Sequence, residues 1–183
     1  LNISTARFAN VAFSNGSLPL GFINRLNKKQ PWSCPLGIKR FFVSPEESGQ
    51  LCLIASVLGS SGDIFFPKLD ENKDMIPFEN IAKDLLKYLN LEIDLCYSDE
   101  EAKCKADLLT EDSKKFPVYF FGSDTSGEKT FEEFYTKDET LDLEKFQNLG
   151  VIKNSIKRDL TEIDNIFKNL TDIFSSNDVT KQQ

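Results

Sequence analysis

The sequence predicts an α/β fold with a largely parallel sheet, and three observations lead there. Short aromatic and β-branched runs alternate with stretches of helical periodicity. Asp63-Ile64-Phe65-Phe66-Pro67 is almost continuously apolar, as in strands covered on both faces. Two helix starts are written locally: Ser44-Pro45-Glu46-Glu47 and Ser98-Asp99-Glu100-Glu101 both read as capping boxes.

The elements follow in order. Ile3 to Val11 reads as a strand entering a loop, and Ser14-Asn15-Gly16-Ser17 as a turn. Ser17 can cap a helix that carries Leu20, Ile23 and Leu26 on one face and stops at Lys28-Lys29-Gln30-Pro31. Trp32-Ser33-Cys34 is a short extended piece. Lys39 to Val43 is a strand with a cation at its head, and the Pro45 helix after it points Leu51, Ile54, Ala55 and Leu58 inward. Gly59-Ser60-Ser61-Gly62 ends that helix before the Ile64 strand. Pro77 opens a helix with Ile81, Leu85, Leu86 and Leu89 inward. Leu91 to Cys96 alternates as a half-buried strand, and a charged helix then runs from Ser98 to about Leu109. Phe116 to Phe121 is a strand. Phe131 to Tyr135 and Leu141 to Phe146 are expected as short helices.

The last segment has its own pattern. Ile156, Leu160, Ile163, Phe167, Leu170 and Phe174 are spaced alternately four and three apart, an a/d seam widened by Ile166 and Ile173. The sequence therefore divides into 1–153, an amphipathic helix over 154–174, and a tail over 175–183 expected to be disordered. The helix can dock on its own domain or serve as a contact in a homo-oligomer.

The totals bound the function. Hydrophobic content of 40% with 16 Phe is compatible with a real core, while a mean hydropathy of -0.33 and the lack of a long apolar run argue against a membrane span. A net charge of -7 disfavours nonspecific nucleic-acid binding. The absence of His removes the usual general base and metal ligand. Cys34, Cys52, Cys96 and Cys104 are scattered without a C-x-x-C spacing, so reduced thiols in a cytoplasmic protein are expected. The chain opens on Leu1, leading straight into a strand-like run, and the start is expected to be a cut inside a longer polypeptide.

Arg40 is the residue that stands out. It places a guanidinium at the head of an apolar strand just before a capped helix, a setting suited to a bidentate grip on phosphate or carboxylate. A structural ion pair is the alternative.

Three blocks in order give the chain a wider likeness. Arg7-Phe8-Ala9-Asn10-Val11 with Gly16-Ser17-Leu18-Pro19-Leu20 resembles R-x-x-N-V…G-S-x-x-P. Lys39 to Glu47 resembles T-R-F-F-x-T-x-x-E, and Gly62 to Leu69 resembles a G-E-I-F strand. Over about Ile3 to Lys153 the chain thus resembles the C-terminal half of an extended short-chain dehydrogenase/reductase. More narrowly, it resembles the nucleotide-sugar 4,6-dehydratases of the polysaccharide-biosynthesis family. The resemblance implies the last sheet strands of an extended Rossmann-type fold plus its small substrate-binding subdomain. It implies that Asn10 bonds the nucleotide sugar, that Ser17 and Leu18 line its cleft, and that the backbone at Ser33 and Cys34 reads the base. Arg40 would clamp the diphosphate, and Phe8 would lie near the nicotinamide of NAD or NADP.

Relatives place a second Arg before P-G-E-K. Here Asp124 to Lys129 lacks it, leaving Thr125, Ser126, Glu128 and Lys129 as the candidate substrate contacts, with a capped helix start as the alternative. The resemblance also implies chemistry done elsewhere. The chain has no G-x-x-G-x-x-G after a strand, and none of Tyr88, Tyr97, Tyr119 and Tyr135 has Lys four residues on. The expected partners are the nucleotide sugar, a UDP-N-acetylhexosamine, and the N-terminal half of the same polypeptide, which would hold most of the cofactor. This chain alone is expected to be inactive. An epimerase or reductase of the same superfamily, or a non-catalytic oligomerising module, are the alternatives.

Overall fold

The computed structural model describes residues 1–122, 132–153, 155 and 157–176. In chain order the elements are β1 (Thr5–Ala6), β2 (Asn10–Val11), α1 (Leu18–Asn27), β3 (Trp32–Leu36), β4 (Lys39–Arg40), β5 (Phe42–Val43), α2 (Pro45–Leu58) and β6 (Ile64–Pro67). There follow β7 (Ile76–Pro77), α3 (Phe78–Tyr88), β8 (Glu92–Cys96), α4 (Asp99–Ala106), β9 (Lys115–Gly122), β10 (Thr140–Asp142), β11 (Leu149–Lys153) and α5 (Leu160–Ser175). The architecture is the mixed α/β arrangement of a partial Rossmann-like fold, as the sequence predicts.

Two sheets carry the two cores. One has the order β1-β6-β11-β10. Its β1–β6 pairing is parallel, while β6–β11 and β11–β10 are antiparallel. α2 lays Leu51 and Ala55 over Phe65 and Val151 on it. The other sheet, β3-β9-β8, is parallel throughout. On it α1 and α3 bury Phe22, Ala82 and Leu86 against Trp32, Cys34, Phe116 and Val118. Two short ladders join the halves, β2 with β5 in parallel and β4 with β7 antiparallel.

The local signals act as written in three places. Ser17 caps α1 by accepting from the Leu20 amide. Ser44 and Glu47 close a reciprocal box at α2, with the Ser44 amide donating to Glu47 at 2.7 Å. Phe65, Phe66 and Pro67 are buried as the apolar run predicts.

Other expectations are corrected. At α4, Ser98 accepts from Glu101, but the Glu101 carboxylate turns to the amide of Tyr97, so the second box is not reciprocal. Residues 132–135 form no helix. Arg7 holds the Phe134 carbonyl there, and Phe134 packs beside Phe41 and Phe66, contacts that hold the segment by its tertiary partners instead. Leu141 to Phe146 is no helix either. Thr140 to Asp142 pairs with β11, and the Asp142 carboxylate then accepts from the Glu144 and Lys145 amides, which turns the chain.

The antiparallel strand β11 is the main unforeseen element. It makes β6 an interior strand, so the sheet containing β6 is mixed rather than largely parallel. Gly150 allows this pairing: a Cβ there would run into the buried ring of Phe66.

α5 starts at Leu160, capped by Asp159, and none of its residues is buried. The seam residues Leu160, Phe167, Leu170 and Phe174 are exposed, while Ile163 and Ile173 are half-buried. Ile156 and positions 177–183 of the tail lie outside the described residues. No helix among the described residues is long and apolar enough to cross a membrane.

Candidate functional site

The two short ladders put Asn10 and Arg40 beside one another. Asn10 begins β2, in register with Phe42 of β5. Arg40 ends β4, in register with Ile76, and its guanidinium lies over the Phe78 ring at 5.8 Å from the centroid. The Arg40 side chain is only 11% exposed. Its NH1 donates to the Lys39 carbonyl at 2.8 Å.

Both residues meet the same carboxylate. Arg40 Nε lies 3.4 Å from Glu132 Oε1, and Asn10 Nδ2 donates to Glu132 Oε2 at 3.1 Å. Asn10 Nδ2 also lies 3.2 Å from the Phe41 carbonyl. An amide and a guanidinium on separate strands therefore grip one anion, each through a different oxygen.

Arg7 braces the segment that carries Glu132. Its NH1 and NH2 donate to the two oxygens of Glu139 at 3.0 and 2.6 Å, and NH1 also donates to the Phe134 carbonyl at 2.7 Å. The Arg7 hydrogen bond, then the Thr136 amide, hold the Glu139 carboxyl below its ordinary value. A cavity of about 430 Å³ opens here, lined by Arg7, Phe8, Ala9, Asn10, Glu132 and neighbours of Glu132. A second cavity, of about 500 Å³, shares Phe8 and Ala9 and is lined also by Phe42, Leu51, Ile54 and Pro67. It sits at the C-terminal ends of the parallel pair β1 and β6, where open α/β sheets take their ligands.

The remaining sequence candidates fall elsewhere. Ser17 is spent on capping α1, and Leu18 begins that helix. Ser33 and Cys34 lie on β3, and Cys34 is fully buried among α1 and α3. Burial first, and then the charge of Glu79, push its thiol up to about 12, so it stays protonated at neutral pH. Cys34 can offer a ligand its backbone but not its sulfur. Thr125, Ser126, Glu128 and Lys129 lie outside the described residues. Among the described residues no group of three or more His, Cys, Asp or Glu could hold a metal ion.

Glu132, Arg7 and Glu139 were not singled out by the sequence. Arg7 stands inside the R-x-x-N-V block, which was the available signal. Glu132 is one of 29 acidic residues, and the nearest signal was the candidate block Asp124 to Lys129, which ends three positions before it.

A model of a polysaccharide biosynthesis protein family matches residues 1–154. The chain belongs to that family. A search of curated proteins finds no match. Among solved structures the family member is similar to Pen from Bacillus thuringiensis, with a TM-score of 0.58 and 18% identity. The match covers 92% of this chain and 49% of that one, so the chain spans about half of Pen's length. At that identity the likeness is one of fold.

Proposed function

We propose that this chain is the substrate-binding portion of an NAD(P)-dependent nucleotide-sugar 4,6-dehydratase, holding the diphosphate of a UDP-N-acetylhexosamine between Arg40 and Asn10. The observation that carries it is the single carboxylate shared by these two residues, because a site that grips one anion through two donors can grip a phosphate in the same way. Family membership supports a nucleotide-sugar-related biosynthetic role. The polar donors here bind and orient. The 430 Å³ cavity beside Asn10 offers room for a sugar. For the dinucleotide these residues supply one apolar wall at Phe8 and no glycine-rich cradle for its phosphates, so hydride and proton transfer are left to other parts of the polypeptide. Calorimetric titration with UDP tests the reading. Wild-type protein is expected to bind. Arg40→Ala is expected to weaken binding by roughly 10- to 150-fold, since a charge-assisted contact contributes about 1.5–3 kcal/mol. Wild-type protein that takes up no UDP refutes it.

A second reading concerns α5. Its a/d spacing and exposed Leu160, Phe167, Leu170 and Phe174 favour pairing with the same helix of a second copy. Truncation after Lys153 is then expected to lower the mass in solution to that of a monomer. An oligomer that survives truncation denies α5 this role.

A further inference from the structure

We propose that Glu132 is an internal competitor for the anion held by Arg40 and Asn10, and so sets the charge that a ligand must bring. This rests on the reading of those two residues as the diphosphate site. The carboxylate spans two strands, with one oxygen on Arg40 and the other on Asn10. A phosphate gripped by the same two donors would take the same space. Two anions cannot share it, because like charges at such a distance repel strongly in a partly buried setting.

The exposures on the two sides differ, and the difference decides which partner moves. The Arg40 side chain is 11% exposed and that of Glu132 is 39% exposed. Arg40 is held in place by the Lys39 carbonyl and the Phe78 ring. Glu132 can instead turn into water with its charge solvated. The segment behind it stays anchored, because Arg7 holds Phe134 and Glu139 and the Phe134 ring packs beside Phe41 and Phe66. The carboxylate is therefore kept at high local concentration and returns when the ligand leaves. A ligand with a phosphate at this position can displace it. A neutral ligand gains nothing by doing so.

The test is calorimetry with UDP and with uridine on wild type, Glu132→Gln and Glu132→Ala. Removing the charge is expected to tighten UDP binding about tenfold in both variants, or about 1.4 kcal/mol, and to leave uridine unchanged. Unchanged or weaker UDP binding in both variants overturns the proposal, because Glu132 then only orients Arg40. Equal tightening of UDP and uridine overturns it as well, because the effect is then not one of charge. A wild type and variants that all ignore UDP refute the diphosphate site itself, which is a separate outcome.

Discussion

Trp32→Ala is expected to cost about 3–5 kcal/mol of stability, the usual range for deleting a large buried aromatic side chain. Trp32 is fully buried at the start of β3. Its indole stacks on Phe22 with centroids 4.5 Å apart and meets Phe116 edge-on at 5.3 Å. Its Nε1 donates to the Phe22 carbonyl at 2.8 Å. The substitution therefore opens a cavity between α1 and the sheet and also removes the indole's hydrogen bond to a carbonyl of α1. Against a total stability of about 5–15 kcal/mol, that loss is a large fraction. Trp32→Phe keeps most of the ring contact and is expected to lose less. Urea unfolding followed by circular dichroism checks both variants, since Trp32 is the only tryptophan and its own fluorescence goes with it. A loss below 1 kcal/mol for Trp32→Ala would mean that this cluster does not hold the β3-β9-β8 half together.

What could be read in the sequence was what the chain settles within a few residues. Ser44 and Glu47 find each other across three positions, and no distant partner is needed to start α2 there. The Ile64 strand announces its burial by composition alone. Leu141 to Phe146 is different: so short a stretch of mixed apolar and charged residues suits a strand or a helix, and the pairing of its start with β11 decides the matter. The candidate site lies further still from local reading. Asn10 and Glu132 are 122 residues apart in the chain, and their meeting depends on Arg7 fixing Phe134 and Glu139. Motif spacing marked Asn10 and Arg40 as donors to an anion. The alternative reading of Arg40, a structural ion pair, is met by Glu132, but spacing alone could not say which carboxylate would supply it.

Lys153→Met is expected to destabilise the protein by about 3 kcal/mol at neutral pH, toward the lower end for breaking a buried pair because the lysine head is partly exposed. Lys153 Nζ meets both oxygens of Asp63, at 2.7 and 2.8 Å, and Asp63 is 4% exposed. The Ser60 amide donates to the same carboxylate at 3.0 Å. The pair ties the last residue of β11 to the turn before β6, and so fixes the register of the mixed sheet. Burial alone would raise the Asp63 carboxyl, but the Lys153 hydrogen bond and the Ser60 amide bring it below its ordinary 3.8. A depressed carboxyl contributes stability that is present above its unfolded value and is lost as pH falls through its folded one. Wild-type stability should therefore decline as pH drops below about 4. In Lys153→Met burial is left without its main counterweight, so Asp63 takes up a proton more readily in the folded state. The deficit of the variant should then be largest near pH 7 and shrink toward pH 3, as measured by urea midpoints across that range. A deficit independent of pH would assign the effect to lost packing of the lysine stem rather than to the charge on Asp63.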